Sequence, residues 1–114
     1  APGEAVDYPV NGAKVGRLVA AGDYDLGLIA CGTGIGIGIS ANKVPGIRAA
    51  ICSDVYSAKL SRQHNDSNVL ALGARVVGTG LARLIVETWL TTEFEGGRHA
   101  RRVGLINELD HQRG

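Results

Sequence analysis

Methionine is missing from this chain altogether. Position 1 is Ala1, and the opening Ala1-Pro2-Gly3-Glu4 reads as loop rather than as a start signal. Ala1 is therefore not expected to be the start of the gene product. Cysteine is scarce, with Cys31 and Cys52 alone. The two could close one disulfide. Both, however, fall at or near expected strand ends in an α/β pattern, which points to a reducing compartment and free thiols. No apolar run approaches the roughly 18 residues of a membrane-spanning helix, and no secretory signal pattern is visible. A cytoplasmic location is expected. An excess of one charge is also lacking: 12 Lys and Arg face 11 Asp and Glu, for a net charge of +1. No bulk field argues for a nucleic-acid partner, and the one notable basic cluster is Arg98, His99, Arg101 and Arg102. Repeats, linkers and low-complexity segments are absent.

What is present suits a soluble globular protein. The 114 residues, 45% hydrophobic and 20% charged, suffice for a single domain, 1–114, with one core. Asp7-Tyr8-Pro9 reads as a helix start, Asp7 being the N-cap, and the helix should run to about residue 21 before Gly22 stops it. Residues 25–30 form a continuous apolar run, as a buried parallel strand does. Residues 34–43 are ambiguous. Ile35, Ile37 and Ile39 alternate with a strand period, yet the segment follows a glycine turn and stops before Pro45, which suits a short helix.

A second strand is expected over 48–52, and a helix capped by Ser53 or Asp54 over 54–64. A short third strand covers 69–72. Thr79 should cap a helix whose stripe is Leu81, Leu84, Ile85 and Trp89. Gly96-Gly97 breaks it, and a last helix over 98–109 carries Val103, Ile106 and Leu109 on one face. Strands alternating with helices imply a parallel sheet covered on both faces. Three strands make a thin sheet.

Chemistry concentrates where the first strand meets Cys31-Gly32-Thr33-Gly34-Ile35-Gly36-Ile37-Gly38. Glycine at every second position lets backbone N–H groups approach a ligand, and a turn at the carboxyl end of a strand is where open α/β sheets bind small anions. The spacing matches neither the dinucleotide fingerprint nor the phosphate loop. Asp54 nonetheless follows the second strand where a ribose-binding acid would sit, which keeps a non-catalytic nucleotide-binding module as an alternative. Cys31 is either a small packed residue or, among N–H donors at a helix start, a thiolate able to act as nucleophile or base. Cys52 lacks such a turn and is assigned to the core. His64 closes its helix either as a capping residue or as a functional one. Arg98 and Arg102 stand four apart on one helical face. Their charge opposes the dipole of the helix they open, so a paired grip on a phosphate is the better use for two guanidinium groups.

Five blocks then resemble one family in order: Cys31-Gly-Thr-Gly-Ile-Gly, residues 41–50 (ANKVPGIRAA), Ser57-Ala58-Lys59, Arg62-Gln63-His64-Asn65-Asp66, and Phe94-Glu95-Gly96-Gly97-Arg98-His99. They are similar to ribose-5-phosphate isomerase type B, in a group that includes galactose-6-phosphate isomerase subunits. The resemblance spans Asp7 to about Leu109. It implies a Rossmann-like three-layer αβα sandwich and a cofactor-independent, metal-free aldose–ketose isomerase working through an enediolate.

By resemblance, Cys31 is the base, and Thr33 with the N–H groups of Gly32, Gly34 and Gly36 holds the developing oxyanion. His64 opens the sugar ring, Asn65 contacts the sugar, and Tyr8 lines the pocket. Arg98 and Arg102 bind phosphate together with Arg75. The expected reaction interconverts ribose 5-phosphate and ribulose 5-phosphate. Galactose 6-phosphate or allose 6-phosphate would be the substrates of close alternatives, and a non-catalytic subunit of a hetero-oligomer is a third. The expected partners are the phosphorylated sugar and a second copy, in a homodimer or homotetramer with shared sites, with neither nucleic acid nor membrane. Family members open with a strand carrying an Asp-His pair, which nothing here matches. A strand–helix–strand unit of about 30 residues is therefore expected ahead of Ala1 in the intact protein; otherwise the chain is an inactive remnant.

Overall fold

The computed structural model describes residues 7–112; the loop-like reading of the first four residues lies outside them. Eight elements follow in order: α1 (Tyr8–Ala20), β1 (Gly27–Cys31), α2 (Ile35–Asn42), β2 (Ala49–Ile51), α3 (Val55–Asn65), β3 (Val69–Gly73), α4 (Thr79–Thr91) and α5 (Arg98–His111). The strands form a parallel sheet in the order β1-β3-β2, so the last strand lies in the middle. Gly27 pairs with Val69 and Cys31 with Gly73; on the other side Ala49 pairs with Val69. The expected α/β sandwich with a parallel sheet is what the chain adopts.

Side chains alternate across a strand, and β3 shows the result. Val69 and Ala71 face a core shared with Val19, Ile29, Ile37, Ala41 and Ile47, which brings α1 and α2 onto one side. Leu70 faces the other core, with Cys52, Ala58, Val77, Ile85 and Trp89 from the α3 and α4 side. Trp89, Leu70, Ile85 and Val69 are fully buried, and each such side chain contributes on the order of 2 kcal/mol through removal from water. Burying Trp89 also buries its N–H. That group donates to Ser67 Oγ at 2.8 Å, and Ser67 Oγ pairs with Ser61 Oγ at 2.9 Å. The polar atoms of this core are thereby satisfied.

The ambiguous segment is helical. In α2, Ile37 and Ala41 stand one turn apart and pack on the sheet, while Ile35 and Ile39, also one turn apart, are half-exposed. An Ile-Gly alternation satisfies both periods, and the preceding turn decides between them. Elsewhere the details shift. Asp54, not Ser53, caps α3, its carboxylate accepting from the Ser57 N–H at 2.6 Å. Asp7 holds the N-cap position of α1 without a side-chain cap bond: Pro9 has no N–H to offer, and the Val10 N–H donates to the Asp7 backbone carbonyl at 3.2 Å. Thr79 is the first helical residue of α4 and Gly78 the cap. Within the expected stripe of α4, Ile85 and Trp89 are buried but Leu81 and Leu84 are exposed; likewise Val103 is buried while Ile106 and Leu109 are exposed. Ile106 and Leu109 line an open cavity facing Arg48 and Asn65 instead of packing into a core.

Candidate active site

The carboxyl ends of β1 and β3 carry the glycine turn. Gly34 adopts φ 81°, and a Cβ there would lie 2.8 Å from the Leu72 carbonyl carbon. Gly73 is equally tight: a Cβ would meet the Thr33 backbone at 2.6 Å. The two glycines allow the turn to fold flat against β3. Two backbone bonds lock it there, from Ala74 N–H to Cys31 O at 2.8 Å and from Arg75 N–H to Gly32 O at 3.0 Å.

This packing presents the Cys31 sulfur to the first turn of α2. The Gly34 N–H donates to Cys31 Sγ at 3.2 Å. The backbone N–H groups of Ile37, foremost, and of Gly34, Thr33 and Gly36 hold the thiol below its ordinary value against the opposing effect of desolvation. Cys52 differs in kind. Burial, and secondarily the Asp54 carboxylate, push its thiol up to about 11. Both cysteines are free.

Around Cys31 the turn gathers several expected residues. Thr33 Oγ1 accepts the Ile35 N–H at 3.2 Å. The Tyr8 ring lies over Gly36, where an added Cβ would be 2.5 Å from Tyr8 Cε1. The Arg75 side chain lies along Gly32, its Cδ 3.5 Å from the place a Cβ would take. One cradle thus holds a lowered thiol, a hydroxyl, a ring of N–H groups, a phenol and a guanidinium. The Gly34 N–H, expected to serve a substrate oxygen, is engaged by the sulfur instead.

His64, Asn65, Arg98 and Arg102 are elsewhere. The α3 helix starts beyond the carboxyl end of β2 and returns antiparallel to the strands, so His64 and Asn65 end up beside the start of β3 at Val69. Helix α5 follows them there: the His99 ring stacks on His64 with centroids 4.1 Å apart and 12° between planes. Glu95 binds the same place, its N–H donating to Gln63 O at 3.0 Å and its Oε1 lying 3.6 Å from His64 Nε2 and 3.8 Å from His99 Nε2. Within one chain the expected site residues therefore fall into two groups at opposite edges of the sheet, separated by about the length of the five-residue β3, on the order of 15 Å.

Glu95 and His99 join the second group without having been singled out as site residues. The signal that marks them in the sequence is the i, i+4 spacing of Glu95 and His99 beside Arg98. His99 is buried, and desolvation first, then the charges of His64, Arg98 and Arg102, hold its imidazole below the usual value, with Glu95 opposing.

Two cavities accompany the two groups. One of about 210 Å³ opens beside the turn, lined by Thr33, Ile35, Ile51, Cys52, Ser53 and Val76. The other, about 370 Å³, lies under α5 against Arg48, Asn65, Ile106 and Leu109.

Comparison with known proteins settles the ancestry of this arrangement. Residues 1–106 match the ribose/galactose isomerase family. The chain belongs to that family. Ribose-5-phosphate isomerase B of Escherichia coli K12 is 54% identical over 110 residues, covering 96% of this chain and 74% of that protein. D-erythrulose-4-phosphate isomerase of Pectobacterium atrosepticum is 47% identical over 110 residues, covering 96% and 72%. The solved ribose-5-phosphate isomerase B of Clostridium thermocellum superposes with a TM-score of 0.95 at 58% identity, covering 97% of this chain and 75% of that one. Among the described residues, no helix is long and apolar enough to cross a membrane.

Proposed function

We propose that the chain is a sugar-phosphate isomerase that interconverts ribose 5-phosphate and ribulose 5-phosphate through an enediolate, with Cys31 as the base. One observation carries the reading: a thiol lowered by converging N–H groups sits at the carboxyl end of a parallel strand, under a turn folded flat by glycine. Such a thiolate removes the proton from the carbon next to the sugar carbonyl and returns it to the neighbouring carbon, with no net oxidation and no cofactor. Charge develops on the carbonyl oxygen as the proton leaves. The Thr33 hydroxyl and the turn N–H groups of Gly32 and Gly36 are the donors at hand, while the Gly34 N–H steadies the sulfur. Arg75 supplies positive charge beside the turn, and Tyr8 closes one wall.

His64, with Asn65, opens the sugar ring, and Arg98 and Arg102 hold the phosphate. These residues reach Cys31 across an interface between two copies of the chain. Their position at the far edge of the sheet supports this. The cavity beside the turn, of about 210 Å³, is lined by Thr33 and Ile35 but not by Cys31, and it opens on the carboxyl edge of the sheet. The half-exposed Ile35, Ile39, Ile51 and Val76 give that edge an apolar surface. The family and its relatives named for ribose 5-phosphate favour a pentose substrate. The relative named for D-erythrulose 4-phosphate makes the tetrose the comparison of choice. The cytoplasm, where free thiols persist, is the proposed compartment.

Mixing two variants tests the shared site. Cys31→Ala and His64→Ala homo-oligomers should each be nearly inactive. Subunit exchange between them should restore up to about a quarter of wild-type turnover, because one of the two sites in a mixed dimer is intact. Failure to recover activity after demonstrated exchange contradicts the shared site.

A further inference from the structure

We propose that His64, Glu95 and His99 form a binding site for a borderline transition-metal dication, of which Zn²⁺ is the probe, and that its occupation shuts off the isomerase. The three side chains offer two imidazole nitrogens and one carboxylate oxygen, and these ligand atoms all lie within 4.8 Å of one another. A tetrahedral zinc with bonds near 2.0–2.1 Å holds its ligand atoms roughly 3.4 Å apart. Glu95 Oε1 already stands 3.6 Å from His64 Nε2 and 3.8 Å from His99 Nε2. Two nitrogens and a carboxylate suit zinc, cobalt or nickel rather than magnesium or calcium, and the fourth position stays open to water.

The backbone holds the ligands in place. His64 closes α3, and the Glu95 N–H bond to Gln63 O ties the approach to α5 onto that same turn. Glu95 and His99 are one helical turn apart in spacing. The rings stack with 12° between their planes, and Nε2 of each lies within 4 Å of Glu95 Oε1. His64 is half-exposed and Glu95 is exposed, so both side chains have room to adjust around an ion held against the buried His99. Arg98 and Arg102 lie close enough to act on His99; their charge weakens a bound cation without removing its ligands. A metal there occupies the His64 nitrogen that would otherwise exchange protons with the sugar ring. The inhibitory part of the proposal rests on the isomerase reading; the binding part does not.

Equilibrium dialysis with Zn²⁺ tests the binding, in the Cys31→Ser background so that the thiolate adds no site. One zinc per chain is expected to bind saturably, and Glu95→Gln and His99→Gln should each weaken it at least ~10-fold. Glu95 is exposed, so Glu95→Gln keeps the test valid should His99→Gln fail to fold. Absence of saturable binding, or a Glu95→Gln variant that binds as its parent does, overturns the site. In the Cys31-containing protein, Zn²⁺ should abolish ribose 5-phosphate isomerisation, a chelator should restore it, and Glu95→Gln should shift the inhibiting concentration upward ~10-fold. Full turnover with zinc shown to be bound at this site overturns the inhibition. Protein that binds zinc by dialysis but never isomerises the sugar phosphate contradicts the isomerase reading while leaving the metal site standing.

Discussion

His99 lies flat against His64, their rings 4.1 Å apart, and burial together with this neighbour disfavours the charged form of His99. Its folded pKa lies below the unfolded value of 6.5, through desolvation and the nearby His64, Arg98 and Arg102. The unfolded chain therefore binds more protons between the two values, and stability rises with pH across that window. His99 contributes fully above about pH 6.5, and the contribution is lost as pH falls toward the folded value. Urea unfolding across this range should show the loss in wild type, and His99→Gln should flatten that part of the curve.

Cys31 and Cys52 should separate cleanly by reactivity. The Cys31 thiol is lowered by N–H groups and partly exposed, whereas the buried Cys52 thiol is raised to about 11. Iodoacetamide at neutral pH should label Cys31 alone in the native protein, with a rate midpoint below that of a free thiol. Sugar phosphate should slow it. Labelling of Cys52 at a comparable rate contradicts the assignment.

Much of this was legible in the chain itself. The glycine turn, the alternation of strands and helices and the burial of Cys52 all follow from local signals. Strand order was not, because the central place of β3 depends on pairing between segments distant in sequence. The outward-facing Leu81, Leu84, Ile106 and Leu109 were equally hidden, since helical periodicity marks an apolar face without saying what covers it. The site's division had the same cause. His64 precedes β3 by a few residues, and spacing alone does not reveal that α3 carries it back to the amino edge of the sheet.

Gly34→Ala should destabilise the fold by at least about 2 kcal/mol. A side chain at φ 81° is strained, and its Cβ would meet the Leu72 carbonyl carbon at 2.8 Å. Urea midpoints report the loss. A Gly34→Ala variant as stable as wild type would show that the turn does not need to lie flat on β3.

Arg98→Ala and Arg102→Ala should raise KM for ribose 5-phosphate by ~10-fold or more and relieve inhibition by inorganic phosphate. Melting temperature should change little, because their charge already opposes the dipole of α5. Lysine should rescue only in part, since it keeps the charge but loses the fork. Unchanged KM in both alanine variants places the phosphate elsewhere.

The most direct test of the account is turnover of ribose 5-phosphate by Cys31→Ala, measured beside substrate binding by the same protein. Loss of the base acts on the transition state alone. The account predicts kcat lower by several orders of magnitude with sugar-phosphate affinity retained; turnover at the wild-type rate would contradict it.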